Sequence, residues 1–332
     1  MKPGRAAWAA VLLLGAVQAP PPAPPARWRG LIGEYGPDTT TKVMILERDG
    51  HLIARFDSTE SAPLKETGKA AFRLPQTAGH RAAAVRFRPA AAGRAASIAV
   101  GDSVWTRRAL GPEEGSVFHI VPVRPVEELR REALAASPPV EEGEFRATDL
   151  VELVRLDPTI KLDIRYASSR NFLGTPLYTQ ARAFLQRPAA EALVRAHRAL
   201  KKRGYGLLIH DGYRPWYVTR MFWDATPPAQ HEFVANPATG SRHNRGCAVD
   251  LTLYDLRTGR PIEMPGTYDE FSRRSYPQYE GGTSRQRWFR ELLRGTMEAQ
   301  GFTVYSAEWW HFDYQDWKLY RIGNATFEQL GR

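Results

Sequence analysis

One cysteine, Cys247, stands in 332 residues. A lone thiol cannot close an internal disulfide, so the fold has to be held by packing and polar contacts alone. No internal repeat runs through the chain, and no apolar stretch has the length of a good membrane span. The formal charge is +10, yet there is no long basic run and no stripe of interleaved basic and aromatic residues. Nucleic acid is therefore not an expected partner, and a general attraction to acidic envelope polymers is the more modest reading of the charge. What remains, 43% hydrophobic and 25% charged residues, describes an ordinary globular protein, and the length favours two domains.

The first residues read as an address. A basic start (Lys2, Arg5) precedes the short apolar core AAWAAVLLLGAV, Ala6 to Val17, which small residues follow. That is the layout of a secretory signal over 1–19, and it predicts export to the periplasm or cell envelope with no stable membrane span after cleavage. No cysteine follows the apolar core, which excludes lipid attachment there. A Pro-rich spacer occupies 20–26. From 27 to 125 short runs such as KVMILERDG, HLIARF and AAVRFRP, punctuated by Gly, Pro and Asp, predict a small all-β barrel or sandwich with a hairpin turn at Asp49-Gly50. His51, His80 and His119 are isolated there, and no catalytic constellation accompanies them. A charged helix running into a Pro-Pro and acidic segment, 126–147, reads as a linker. From 148 to 332 strand and helix patterns mix. RPAAEALVRAHRALKKRGYG opens with Pro188 and closes at Gly204, as a helix does, and GLLIHDG reads as a buried strand. The expected class is α+β, a mixed sheet with helices on one side. A flexible linker further predicts that a fragment starting near Glu144 folds and works alone.

Chemistry concentrates in two segments. In SRHNRGCAVDLTLYD, Ser241 to Asp255, the alternation of Val249, Leu251 and Leu253 with Asp250, Thr252 and Tyr254 predicts a half-buried strand. His243 lies in the loop before it, and a turn at Gly246 can fold the imidazole back over Asp250. In SAEWWHFDY, Ser306 to Tyr314, Glu308 and His311 are three apart. A zinc peptidase needs three protein ligands, an open fourth position and a carboxylate to take a proton from water. His243, Asp250 and His311 supply such a set and leave Glu308 as the base. In a regular strand, positions i and i+3 face opposite ways. The segment must therefore bulge near Trp309-Trp310 or form one helical turn. The bland alternatives are a hydrogen-bonded His–Asp pair in the core and an aromatic strand with a polar edge.

Taken together, Ser241-x-His243-x-x-Gly246-x-Ala248-x-Asp250 followed by Glu308-x-x-His311 resembles the D-alanyl-D-alanine dipeptidases of the VanX type, within the wider group of zinc D,D-peptidases. DIRYASSRNFLG (Asp163 to Gly174) and YGLLIHDGYRP (Tyr205 to Pro215) share in the resemblance, which covers roughly residues 148–320. It implies one zinc ion held by His243, Asp250 and His311. It implies Glu308 as general base and then acid, and Arg214 as the cation that stabilises the oxyanion. It further implies Asp269 as the carboxylate that receives the substrate ammonium, with Ser241 and Tyr166 beside it in the substrate pocket. The residues themselves agree on Arg214, since Pro215 suits the first turn of a helix and sets Arg214 at a strand-to-helix junction; a structural pairing of Arg214 with Asp211 is the alternative. Cys247 replaces the Ser common in these dipeptidases and is read as a small buried filler. The implied activity is hydrolysis of D-alanyl-D-alanine in cell-wall turnover or glycopeptide resistance. The alternatives are a D,D-carboxypeptidase trimming peptidoglycan stems and a non-catalytic zinc-containing protein that binds the wall.

Overall fold

The computed structural model describes residues 19–37, 39–56, 60–77, 79–89, 93–112 and 116–330. Nearly all of the expected signal segment lies outside the described residues. Among those described, no helix is long and apolar enough to cross a membrane.

The N-terminal strands form two antiparallel sheets. Gly33–Tyr35, Val43–Arg48, His51–Arg55 and Ser61–Pro63 make a four-stranded meander, and five strands from Lys65–Gly68 to Ser103–Thr106 make another. Tyr35, Ile45, Leu52, Leu74, Val85 and Ile98, all buried, share one core between them. The expected hairpin is present: Arg48 pairs with His51, and Asp49 and Gly50 both have positive φ, 51° and 79°. A two-residue turn needs that backbone to match the right-handed twist of its strands.

The C-terminal half is a mixed α+β unit. Its sheet runs in the order Lys161–Leu162, Tyr205–Asp211, Ala248–Asp255, Glu308–Tyr314, Phe302–Tyr305, and every pairing is antiparallel except the first. Helices Arg187–Lys201 and Ser284–Glu298 pack on the sheet and on each other, and so share one face. Ala189, Leu193, Ala196 and Leu200, at helical spacing, supply the buried stripe of the first helix. The alternation in Ala248–Asp255 predicts a half-buried strand, but seven of its eight residues are buried. Its polar face is covered as well, in part by the loop that follows it, where Pro261 bridges Tyr254 and Tyr268 donates to Asp250.

Residues 126–147, expected to be a linker, are instead packed against the C-terminal unit. Helix Val126–Ala135 buries Leu129 and Ala133 in the same core as Leu193, Ile209 and Phe222. Further along, the Glu141 carboxylate accepts hydrogen bonds from Arg245 and from the backbone N–H of Ile322. The pattern missed this because only two apolar side chains of a charged helix are fully buried, with Val126 packed against the core at its start.

The two halves also meet directly. Glu47, 2% exposed, accepts from the backbone N–H of Ser284 at 2.8 Å, at the start of helix Ser284–Glu298. A carboxylate there meets unpaired N–H groups and the positive end of the helix dipole. Met44 and Leu46 pack against Tyr279 beside it. A fragment beginning at Glu144 discards all of these contacts and should be less stable than one beginning at Arg124. In the full chain, Leu129→Ala should cost about 2–5 kcal/mol in denaturant unfolding. An unchanged midpoint would show that the helix is only a connector.

Candidate active site

The loop from Ser241 to Gly246 is tied down locally before it reaches the site. Asn244 Oδ1 accepts from the Ser241 N–H at 2.7 Å, Ser241 Oγ accepts from the His243 N–H at 3.2 Å, and the Gly246 N–H closes a turn on the His243 carbonyl at 3.0 Å. Gly246 has φ 68°, and a Cβ there would lie 2.4 Å from Leu150 Cδ2. The positive φ demands glycine, and a Cβ would also have to push the end of the Leu150 side chain aside. The turn carries His243 back over the following strand, as its sequence suggests. Cys247, buried just beyond, has its thiol pushed up to about 12 by burial, which suits a filler and not a nucleophile.

Two irregularities then break the period-two rule of the sheet. On the strand Tyr205–Asp211, Ile209 pairs with Leu251 and Asp211 with Asp250, so His210 is an extra residue and Asp211 is switched to the Asp250 face. On the other side, Val304 pairs with Phe312 and Tyr305 with Glu308. The register therefore breaks opposite Trp309–His311, and the segment is strand, not helix. This is the bulge that the Glu308–His311 spacing requires. His311 sits directly across from Asp250, and its Nδ1 is 3.6 Å from Glu308 Oε2.

His243, Asp250 and His311, all buried, bring one ligand atom each to within 4.8 Å of one another. His243 Nδ1 donates to the Gly212 carbonyl at 2.7 Å, which leaves Nε2 as a bare lone pair. His311 Nε2 bonds the Asp313 carboxylate at 2.9 Å, which turns Nδ1 inward, 3.1 Å from His243 Nε2. Asp250 Oδ1 lies 3.3 Å and 3.1 Å from these two nitrogens, yet it is buried without a hydrogen bond. Three acceptors converge on one point, and a cation satisfies them all. Burial opposes charge on His311, but the Asp313 and Asp250 carboxylates outweigh it and push His311 up to about 10. Two nitrogens and an oxygen, each imidazole oriented by an outer carbonyl or carboxylate, fit a single divalent metal.

The other expected residues line the same cavity, about 520 Å³ in volume. Glu308 is pushed up to about 7 by burial and by Asp250, against the pull of His311 and Arg214. Arg214 donates from Nε to Asp211 at 2.9 Å, so the structural pairing exists, and its Nη2 stands 3.6 Å from Asp250 Oδ2. The guanidinium lies over the rings of Phe222 and Tyr166. Pairing through Nε fixes the group and leaves its Nη end at the cavity wall. Asp269 has φ 59°, left-handed for a non-glycine, and its carboxylate accepts from Tyr166 at 2.8 Å. Burial, then the Asp250 charge, hold its pKa well above the ordinary carboxylate range. Ser241 borders the cavity as well, so all eight expected residues meet in one place.

Three supporting residues, Tyr178, Tyr268 and Asp313, escaped the sequence reading, and Asp211 entered it only as an alternative partner for Arg214. Asp211 holds Arg214 and accepts from Tyr178 at 2.8 Å, Tyr268 donates to Asp250 Oδ2 at 3.0 Å, and Asp313 orients His311. Asp313 had a signal, since it stands two residues beyond His311 on a strand and so shares its face. Tyr178 and Tyr268 arrive from loops, where no periodicity points to them.

A family model described as D-ala-D-ala dipeptidase matches residues 146–323. The D-alanyl-D-alanine dipeptidase of Escherichia coli (strain K12) is 36% identical over 166 residues, which are 50% of this chain and 84% of that protein. The enzyme of that name from Enterococcus faecium is 35% identical over 175 residues, 47% of this chain and 87% of its own. That from Streptomyces coelicolor is 34% identical over 188 residues, 51% and 91%. The family match contains every residue of the site just described and leaves out the N-terminal sheets. The chain belongs to the D-ala-D-ala dipeptidase family of peptidases.

Proposed function

We propose that the protein is a zinc-dependent peptidase that hydrolyses D-alanyl-D-alanine to two D-alanines. The observation that supports this best is the joint placement of the three converging ligand atoms, the Glu308 carboxylate and the Arg214 guanidinium on one cavity. A zinc ion held by His243, Asp250 and His311 would supply a Lewis acid and lower the pKa of a water molecule. Glu308, poised at about 7, takes the proton from that water and returns it to the leaving amine. Arg214, fixed by Asp211, offers its Nη end to the oxygen that gains negative charge in the transition state. Asp269, held by Tyr166, offers a buried carboxylate that forms no ion pair among the described residues, and the substrate ammonium would be its partner. Export is part of this reading, on the strength of the basic start and the apolar Ala6–Val17 run, and would bring the enzyme to dipeptide or stem peptides at the wall.

The second reading is a D,D-carboxypeptidase that trims terminal D-Ala from longer stems. The cavity volume favours it, because about 520 Å³ is in the range that takes drug-sized ligands and exceeds the needs of a dipeptide. Product analysis with D-Ala-D-Ala and a pentapeptide ending in D-Ala-D-Ala, side by side, separates the two. A wall-binding protein with structural zinc needs neither a carboxylate poised near neutrality nor a fixed guanidinium, and is disfavoured.

Chelator-stripped protein should take up about one zinc ion and regain activity with it. Because His311 is raised from 6.5 to about 10, it is charged at neutral pH when no metal is present. In the metal-free protein its contribution to stability is full below pH 6.5 and is lost as pH rises through about 10. Metal uptake must expel that proton, so affinity should rise with pH across the same window. Calorimetry in two buffers of different ionisation heat should count about one proton released per ion at neutral pH; a count of zero would mean that His311 is already neutral.

Glu308→Gln should retain metal and lose on the order of a hundred- to ten-thousand-fold in kcat. Near-normal turnover in that variant would remove Glu308 from the mechanism. Arg214→Ala should lower kcat more than it raises KM, since its target charge exists only in the transition state.

N-acetyl-D-Ala-D-Ala should be a poor substrate, by about ten- to a hundredfold in kcat/KM, because it strands the Asp269 carboxylate. Asp269→Ala should narrow that gap. Equal cleavage of both substrates by the wild type would favour the carboxypeptidase.

A further inference from the structure

The outer face of the five-stranded N-terminal sheet carries charge of one sign. The four-stranded meander turns Val43 and Ile45 to the core it shares with this sheet, and Met44 and Leu46 to Tyr279 of the catalytic half. Tyr35 and Phe87, with ring centroids 6.0 Å apart, join the two sheets across that core. The five-stranded sheet is therefore the outer layer, away from the catalytic half. Strand alternation assigns its faces. Phe72, Val85, Phe87 and Ile98 point to the core, so Lys65, Arg73, Arg86 and Arg88 point outward, and all four are exposed.

The register sets these cations on a line. Lys65 is opposite Arg73, Arg73 is opposite Ala84, and Arg86 and Arg88 take the next two outward positions after Ala84. With strands about 4.8 Å apart and about 6.8 Å between outward residues of one strand, the charges run obliquely across the sheet over about 17 Å. Small side chains lie between them: Ala71 and Ala99 flank Arg86, and Ser97 stands opposite Arg88. Among the described residues no acidic side chain shares the face. Glu66 lies opposite Phe72, on the core side, and is bonded to Arg27, while Asp102 sits in a turn at the end of the sheet. Nor does any of the four cations make an ion pair or a side-chain hydrogen bond among the described residues. Like charges directly opposite each other on paired strands, as Lys65 and Arg73 are, destabilise a sheet unless an anion lies between them.

We propose that this face binds a linear polymer of repeating phosphates, laid along the line from Lys65 to Arg88. A single small anion meets one or two of the four cations, and only a chain meets them all. Phosphates on an unbranched chain bring free oxygens to each guanidinium fork and no side groups to clash with the flat surface. The face has no aromatic ring on which a base could stack, and its one sizeable apolar side chain is Val104, which disfavours nucleic acid and a lipid surface. The face lies outside residues 146–323, so the proposal stands apart from the peptidase reading. It tethers the chain through the half that holds none of the proposed catalytic residues.

The test is fluorescence anisotropy of labelled long-chain polyphosphate with the full chain at rising salt. Poly-L-glutamate, oligodeoxythymidylate and phosphatidylglycerol vesicles serve as competitors. The expected result is binding whose log affinity falls with log salt at a slope of about −3, the release expected for four contacts. The triple variant Arg73→Ala, Arg86→Ala, Arg88→Ala should weaken binding about tenfold or more and flatten that slope by about two. Its zinc uptake and dipeptide hydrolysis should be unchanged, and its melting temperature unchanged or raised as the repulsion is relieved. Should it fail to fold, Arg86→Ala alone must weaken binding several-fold. A second triple variant, Arg155→Ala, Arg170→Ala, Arg198→Ala, removes the same charge from exposed side chains of the catalytic half and should bind as the wild type does. Equal loss in both triple variants overturns the proposal, because net charge alone is then at work. So does absence of binding to polyphosphate, or tighter binding of any of the three competitors.

Discussion

A buried carboxylate oxygen facing two imidazole lone pairs is the constraint on which the rest of the site is built. Asp250 Oδ1 has no hydrogen bond, and His243 Nε2 and His311 Nδ1 are turned toward it by the Gly212 carbonyl and the Asp313 carboxylate. Burial raises the cost of charge on Asp250, yet positive charge and N–H donation from the two imidazoles, when they carry the proton, more than offset it and hold the group well below the ordinary carboxylate range. Such an arrangement is stable only with positive charge at its centre. The neighbouring groups follow from it. The Asp250 charge helps push Glu308 toward neutrality and Asp269 above the carboxylate range, while Arg214 opposes both shifts. A single fixed anion thus divides three nearby carboxyl groups into a ligand, a proton carrier and an acceptor for a cation.

Much of this was legible in the sequence because local rules are strong where they act. A turn at a glycine with φ 68° folds His243 over Asp250, and strand alternation sets Asp250 apart from Val249 and Leu251. The spacing of Glu308 and His311 demanded a bulge, and the register breaks there. Long-range packing was not legible. Leu129 and Ala133 anchor a charged helix that reads as a connector, and the covered face of Ala248–Asp255 depends in part on an irregular loop. Tyr178 and Tyr268 hold Asp211 and Asp250 from positions that no period predicts. Side chains on irregular segments are placed by the fold as a whole, so only the structure reveals them.

The N-terminal strands bear on the catalytic half through a helix end. Glu47 accepts from the first N–H of helix Ser284–Glu298, while Thr283 and Gln286 close a capping box at the same turn. That helix lies under the sheet whose other face holds Asp250 and His311. The polar bonds at the helix end stand beside the apolar packing of Met44 and Leu46 on Tyr279, and together they give a definite docking angle. They also leave a large cavity between the halves unfilled by side chains.

The extra residue at His210 has a consequence for how this site can change over time. Because one inserted residue reverses the sidedness of Asp211, losing it would swing that carboxylate toward the helices and leave Arg214 without its anchor. The same holds for the register break facing Trp309–His311, which alone lets Glu308 share a side with His311. Substitutions at these positions alter a contact, whereas a one-residue deletion alters parity along the rest of the strand. Lineages carrying this architecture should therefore tolerate drift in residue identity at the two bulges far better than any change in their length.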